Sequence, residues 1–186
     1  RRLHEFALNE LRKRYEITVH KGEIPMPKKR VLAEIKNKDG LICFPYDIID
    51  KEILDSAGKL KSISTYSVGF DHIDVNYAKK KKITIGYTPD VLTNATAELT
   101  IGLMMDLLRR ITEGDSIIRK GKWNEIFGPF DYVGTEILGK TIGILGMGRI
   151  GKTVAKKALC LGMNVLYHNT KPTTKTGKAK YVSLNE

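Results

Sequence analysis

Residues 140–151 read KTIGILGMGRIG, an apolar run that leads directly into a glycine-rich turn. The β-branched and apolar residues at 141–145 predict a short strand, and the apolar spacing at 153–161 predicts one face of a helix. Gly162 is placed to end that helix, and residues 164–168 predict a second strand. A strand, a glycine turn, a helix and a strand within about 30 residues have the size of a βαβ unit.

The turn spells G-x-G-x-x-G at Gly146, Gly148 and Gly151. Gly146 allows a sharp turn, Gly148 leaves the backbone open to a pyrophosphate, and Gly151 lets the helix pack close to its strand. Amides in the first helical turn have no partner within the helix and lie at the positive end of its dipole. We therefore predict a dinucleotide site, in which Arg149 and Ile150 offer backbone amides and Arg149 also offers its guanidinium.

The composition narrows the possible classes of protein. The 186 residues carry a net charge of +11, but the lysines are spread along the chain without interleaved aromatic residues, so we expect no nucleic-acid partner. No apolar run approaches the roughly 20 residues of a membrane span, and no signal-peptide pattern is visible. Cys43 and Cys160 lie in apolar surroundings and match no metal-ligand spacing, which predicts buried free thiols, no metal site and a cytoplasmic protein.

Short apolar segments alternate with helical patterns through the first half of the chain. This alternation predicts an α/β fold with a parallel sheet, similar to a flavodoxin-like sheet. We predict a substrate domain over residues 1–90 and a partial Rossmann cofactor domain over 91–186. The predicted helices are 3–14, 28–37, 51–57 and 75–80, and the predicted strands are 15–20, 41–44, 62–66 and 83–85.

A long helix is predicted to follow the boundary, from about residue 95 to 110. Asn94 or Thr93 is expected to cap it. Its apolar residues cover more than one face, which predicts burial on several sides, either between domains or at a subunit interface.

Four stretches together resemble one family: YSVGFDHID at 66–74, TPDVLTNATAE at 88–98, RKGKW at 119–123 and GKTIGILGMGRIG at 139–151. Their order and spacing are similar to those of the D-isomer-specific 2-hydroxyacid dehydrogenases, most closely the glyoxylate and hydroxypyruvate reductase branch. The resemblance implies a flavodoxin-like substrate domain, a Rossmann cofactor domain and a homodimer. It also implies hydride transfer from NAD(P)H to a small 2-oxo acid, giving the D-2-hydroxy acid.

The resemblance also implies roles for single residues. Val68 and Gly69 would line the interdomain cleft, where backbone amides meet the substrate carboxylate; a plain strand-end turn is the alternative. Thr96 matches a position that contacts the cofactor in relatives, although a simple role at the start of the helix competes with that assignment.

The expected contact with the adenosine ribose lies after the second Rossmann strand, where residues 167–171 read YHNTK. An acidic residue there would bind the 2′-hydroxyl of NAD and repel a 2′-phosphate, but none is present. Asn169 and Thr170 can donate hydrogen bonds, and Lys171 adds positive charge. We therefore predict NADP in preference to NAD, with NAD or dual use still open.

Relatives carry a catalytic arginine, glutamate and histidine beyond the second Rossmann strand, and this sequence ends at Glu186 before any of them. We therefore assign no catalytic residue, and expect a fragment of a longer enzyme that also lacks the opening strand of the substrate domain. His72 is expected to be a turn histidine with an ordinary hydrogen bond. Phosphoglycerate dehydrogenase and a non-catalytic nucleotide-binding module remain alternatives. The isolated chain is expected to be poorly soluble or associated.

Overall fold

The computed structural model describes residues 3–22, 24–123 and 128–185. The chain divides into two compact units, Arg1–Pro89 and Asp90–Glu186. Each unit is built around its own three-stranded parallel sheet, as the alternating pattern of the sequence predicts.

The first unit contains strands β1 (Gly40–Cys43), β2 (Ser62–Thr65) and β3 (Thr84–Gly86), paired in parallel in that order. The helices are α1 (Glu5–Arg12), α2 (Lys28–Glu34), α3 (Lys51–Ser56) and α4 (Val75–Lys80), and a 3₁₀ turn at Ile35–Asn37 extends α2.

Packing and capping explain where these elements lie. Ile63 on the central strand is fully buried against Leu54 of α3 and Ala78 of α4 in one apolar core. Asp50 and Asp74 cap α3 and α4, each accepting a hydrogen bond from a backbone amide three residues on. The predicted bounds of α4 are correct, and those of α3 and the three strands agree to within two residues.

The strand predicted at residues 15–20 is wrong, because that segment follows α1 without strand structure. None of its six residues is buried, so its alternating pattern has no core face to cover. The predicted helix at 3–14 begins and ends two residues inside those bounds.

The second unit contains strands β4 (Thr141–Leu145), β5 (Asn164–His168) and β6 (Lys180–Tyr181), paired in parallel in that order. Helices α5 (Thr93–Arg109) and α6 (Ile111–Arg119) precede the sheet, and α7 (Arg149–Cys160) connects β4 to β5. Helix α7 packs against α5, and its buried face, with Ala155 and Ala158, joins a core under the sheet. The strand bounds predicted for 141–145 and 164–168 are correct.

The predicted caps of α5 are wrong. The helix begins at Thr93 itself, Leu92 is the N-cap, and no side chain in the described part of the chain caps the first turn. Asn94 instead donates from Nδ2 to Glu98 Oε1 over 2.7 Å, a bond between successive turns. The helix ends at Arg109, because Arg110 adopts a left-handed conformation with φ of 55°.

The predicted burial of α5 is not met within this chain. Only Ala97 of the helix is buried, whereas Leu99, Leu103 and Leu107 are 62%, 60% and 79% exposed. The cysteine prediction is half correct: Cys43 is buried, but Cys160 is exposed at the last residue of α7. Among the described residues, no helix combines the length and apolar character needed to cross a bilayer.

Candidate dinucleotide and carboxylate sites

The glycine-rich turn leaves the carboxyl end of β4 and leads into α7. Gly146 has a φ of 98°, a backbone conformation that glycine adopts without strain. Its amide donates to the carbonyl of His168 over 2.9 Å, which ties the turn to the end of β5. The turn is therefore anchored to both strands of the βαβ unit.

Gly151 and Gly148 are glycine for different reasons. A Cβ atom added to Gly151 would clash with the carbonyl oxygen of Gly146 and would lie 3.2 Å from its carbonyl carbon. Only glycine lets the first turn of α7 pack this closely, as the sequence predicts. A Cβ atom on Gly148 would meet no atom within 4 Å in the described part of the chain. Packing therefore does not require glycine at 148, and open space lies beside its backbone.

Several backbone amides at the N-terminal end of α7 have no acceptor in the described structure. Gly148 is the N-cap, and no described side chain caps the helix. The first turn closes with the Lys152 amide donating to the Gly148 carbonyl over 2.9 Å. Within residues 3–22, 24–123 and 128–185, the amides of Gly148, Ile150 and Gly151 donate to no acceptor. Free amides at the positive end of a twelve-residue helix form a site suited to a phosphate.

Arg149 is the one member of the turn whose side chain has an ionic partner. Its Nη1 lies 3.0 Å from Oδ2 of Asp90, and both side chains are more than half exposed. The guanidinium predicted to meet a pyrophosphate is therefore already paired with a carboxylate. Asp90 has a left-handed backbone conformation, with a φ of 64°. Its pairing with Arg149 spans 59 residues, a separation at which the sequence carries no signal of the contact.

Asn169 supports the turn from the end of β5. Its Oδ1 accepts the amide of Met147 over 2.7 Å, and its carbonyl accepts the hydroxyl of Tyr181 over 3.3 Å. A backbone amide can donate only to the oxygen of the Asn169 side chain, so the Nδ2 group is fixed as the remaining donor. Thr170 and Lys171 follow and are exposed.

The other candidate site is the turn that follows β2. Ser67 is anchored through its carbonyl, which accepts the amide of Thr88 over 3.0 Å and the hydroxyl of Thr88 over 2.9 Å. The amides of Val68 and Gly69 donate to no acceptor among the described residues. A Cβ atom on Gly69 would have its nearest contact among the described residues at an ordinary 3.6 Å, to Asp71 Oδ2. Two free donors thus lie at the carboxyl end of a parallel strand.

His72 makes ordinary hydrogen-bond contacts in this turn, as predicted. Its Nε2 lies 3.0 Å from the hydroxyl of Thr65 and 3.9 Å from Sγ of Cys43. Burial lowers the pKa of His72, and the nearby carboxylates of Asp47 and Asp71 act against that shift. The involvement of Thr65 was not predicted, since a single threonine in a strand carries no signal of its partners.

Thr96 lies in the first turn of α5 and is partly buried. Its amide donates to the carbonyl of Leu92 over 2.9 Å, and its carbonyl accepts the hydroxyl of Thr100 over 2.8 Å. These are bonds of helix structure, so the contact between Thr96 and a cofactor stays a prediction.

Comparison with known proteins places these features in a family. The family model "D-isomer specific 2-hydroxyacid dehydrogenase, catalytic domain" matches residues 1–182. A glyoxylate reductase of Thermofilum pendens is 44% identical over 166 residues, which cover 89% of this chain and 49% of that protein. The chain spans about half the length of the curated relatives it matches.

Solved structures agree with the family match. A D-lactate dehydrogenase from Aquifex aeolicus, complexed with NAD and lactic acid, is 28% identical with a TM-score of 0.81, covering 96% of this chain and 53% of that one. An acyclic imino acid reductase in complex with NADPH and D-Arg is 28% identical with a TM-score of 0.80, covering 98% and 57%. With nearly all of its length matched by the family model, this chain belongs to the D-isomer-specific 2-hydroxyacid dehydrogenases.

Proposed function

We propose that this chain is part of an NAD(P)H-dependent reductase that converts a small 2-oxo acid, such as glyoxylate or hydroxypyruvate, into the D-2-hydroxy acid. The observation that carries the proposal is the open backbone at Gly148, next to free amides at the start of α7. In this proposal Arg1–Pro89 is the substrate unit and Asp90–Glu186 belongs to the cofactor domain.

The glycine-rich turn fits the pyrophosphate of a nicotinamide dinucleotide, which supplies the hydride when bound. Gly146 and Gly151 set the path of the turn, and the amides of Gly148, Arg149 and Ile150 would face the phosphate oxygens. Arg149 would have to exchange or share its Asp90 partner in order to add a charge-assisted hydrogen bond.

Asn169, Thr170 and Lys171 form the proposed ribose contact, and we propose NADP as the preferred cofactor. Because Asn169 Oδ1 accepts the Met147 amide, the Asn169 side chain presents its Nδ2 donor to a ligand. It carries no negative charge that would repel a phosphate. A donor, a hydroxyl and an exposed ammonium group suit a 2′-phosphate better than a 2′-hydroxyl. We place Thr96 among the cofactor contacts on the family resemblance alone.

Val68 and Gly69 form the proposed substrate contact. A carboxylate accepts hydrogen bonds and carries negative charge, so two free backbone amides at a strand end offer it matched donors. No residue of this chain is assigned the proton-transfer step.

We further propose a homodimer in a cytoplasmic enzyme, with α5 at the subunit interface. Leu99, Leu103 and Leu107 recur every four residues and form one exposed apolar stripe along the helix. Ile111, the first residue of α6, is also exposed. Apolar surface of this kind is typical of a protein–protein interface.

Two measurements test the proposed function. Fluorescence titration of the natural polypeptide that carries this chain with NADPH and NADH is expected to show saturable binding, tighter for NADPH. The natural polypeptide that carries this chain, its intact mass verified, is expected to oxidise NADPH with glyoxylate or hydroxypyruvate and to release the D-product. Absence of dinucleotide binding would contradict the proposal.

A further inference from the structure

A line of polar groups connects His72 to the carbonyl of Gly69, and we name it the hydroxyl relay. His72 Nε2 lies 3.0 Å from Thr65 Oγ1, and Thr65 Oγ1 lies 2.6 Å from Ser67 Oγ. Ser67 Oγ in turn donates to the Gly69 carbonyl over 2.6 Å. Thr65 is only 2% exposed, so the centre of the relay is shielded from water.

The direction of every bond in the relay follows from counting protons. A carbonyl can only accept, so the one hydroxyl proton of Ser67 is used on Gly69. Thr65 must then donate its own proton to Ser67, and it has none left for His72. His72 therefore donates from a protonated Nε2 to Thr65.

The relay and Thr88 fix the peptide planes on either side of Val68. The carbonyl of Ser67 is held by the amide and the hydroxyl of Thr88. Because a peptide unit is planar and trans, fixing that carbonyl also fixes the direction of the Val68 amide. The relay holds the next-but-one carbonyl, that of Gly69. The peptide unit that carries the Gly69 amide therefore lies between two fixed units.

We propose that His72, Thr65 and Ser67 are positioning residues, which hold the amides of Val68 and Gly69 in the orientation that binds a substrate carboxylate. This inference rests on the proposed function of the Val68–Gly69 turn and adds to it the residues that set the turn's geometry. Within the described chain, the Val68 and Gly69 amides donate to no protein acceptor, so both remain available to a ligand.

The test compares Thr65→Val with Thr65→Ser in the natural polypeptide that carries this chain. Valine matches the shape of threonine but cannot pass on the hydrogen bond, whereas serine keeps the hydroxyl. We expect Thr65→Val to raise the KM for glyoxylate about tenfold, with kcat and the Kd for NADPH little changed. Thr65→Ser should stay near the wild type. Equal KM values in the wild type and Thr65→Val would overturn the inference.

A second measurement separates this inference from the proposed function. If the wild type turns over no 2-oxo acid, the proposed function fails, and the relay is judged on the ¹⁵N-labelled natural polypeptide instead. Shifted Val68 and Gly69 amide resonances with faster hydrogen exchange in Thr65→Val and Ser67→Ala, but not in Thr65→Ser, would support the positioning role. Unchanged resonances in all three variants would overturn it.

Discussion

The turn after β4 and the turn after β2 occupy equivalent places, each at the carboxyl end of a strand in a parallel sheet. Both present amides that no acceptor in the described chain uses, and each has a glycine that packing does not require, Gly148 in one and Gly69 in the other. They differ in what fixes them. The first is shaped mainly by backbone conformation and by close contact at Gly151, with one supporting bond from the Asn169 side chain, whereas the second is held by the side chains of Ser67 and Thr88.

This difference explains why one turn is easier to recognise than the other. Glycine spacing can be read directly from a sequence because the residue type itself imposes the geometry. A serine, a threonine and a histidine become a relay only when the fold brings them within hydrogen-bond distance. Single substitutions in each turn test whether the two turns differ in this way.

The largest effect is expected for Gly151→Ala. The added methyl group would clash with the Gly146 carbonyl, a backbone atom that cannot move without disturbing the turn. We expect the free energy of unfolding of the second unit to fall by about 3 kcal/mol or more, measured by denaturant unfolding. Gly143→Ala in β4 is the matched control, since its Cβ atom would meet nothing within 4 Å in the described structure. A loss of stability equal to that of the control would contradict the close packing at 151.

Gly148→Ala should separate folding from binding. Its Cβ atom enters open space, so we expect a loss of stability below about 1 kcal/mol, mainly from the less favourable N-cap. The same methyl group would occupy the space proposed for the pyrophosphate. We expect the Kd for NADPH to rise about tenfold or more, roughly 1.4 kcal/mol, in a fluorescence titration. An unchanged Kd for NADPH would contradict the proposed binding of the pyrophosphate at this turn.

Asn169→Asp tests the ribose end with little change in shape. The new carboxylate keeps an oxygen for the Met147 amide but replaces the Nδ2 donor with an acceptor. We expect the ratio of the Kd for NADPH to the Kd for NADH to rise roughly tenfold, because a carboxylate repels a 2′-phosphate and accepts from a 2′-hydroxyl. Asn9→Asp, which adds the same charge at an exposed position of α1, is the control. A constant ratio would argue against Asn169 as a determinant of cofactor preference.

The smallest effect is expected from the titration of His72, a group that has no counterpart in the glycine turn. Burial lowers its pKa in the folded state, so the unfolded state binds the proton more readily. The stabilisation is present above the ordinary pKa near 6.5 and is lost as the pH falls through the folded-state value. Between pH 7 and 5 we expect His72 to contribute a decrease in the unfolding free energy of less than about 1 kcal/mol.

Denaturant unfolding at both pH values, in the wild type and in His72→Gln, measures that contribution. The glutamine variant keeps a side-chain donor but cannot titrate, so its stability should change less with pH. The two proteins are otherwise identical, so the difference between their pH dependences isolates His72. An identical pH dependence in the two proteins would contradict the assigned shift.

Much of the second unit could be predicted because its signals are local. The bounds of β4 and β5, and the structural reasons for Gly146 and Gly151, follow from apolar spacing and from the demands of one tight turn. The contacts that complete the sites are not local. Asn169 reaches Met147 across 22 residues and Arg149 reaches Asp90 across 59, distances over which a sequence pattern carries no geometry.

The errors have the same origin. Residues 15–20 have the alternating pattern of a strand, but none of them is buried in a core. The Asn94 side chain bonds to Glu98 one turn later in α5 and does not cap that helix. The apolar residues of α5 were correctly read as one helix, yet the sequence could not say that Leu99, Leu103 and Leu107 would be exposed in a single chain. Burial depends on what packs against a face, and that information lies outside the segment.

The unlike surroundings of Gly151 and Gly148 bear on how this protein can change over generations. Every single-base change in a glycine codon that alters the residue without ending the chain adds a Cβ atom. At 151 any such step meets the Gly146 carbonyl, so the position is closed to drift whether or not the protein still binds a ligand. At 148 the added atom meets no atom of the described residues within 4 Å, so selection there lasts only as long as a ligand occupies that space. A duplicated gene that no longer needs the activity should therefore lose Gly148 long before it loses Gly151. Among such copies, loss of Gly148 alone would mark loss of ligand binding, and loss of Gly151 would mark loss of the fold.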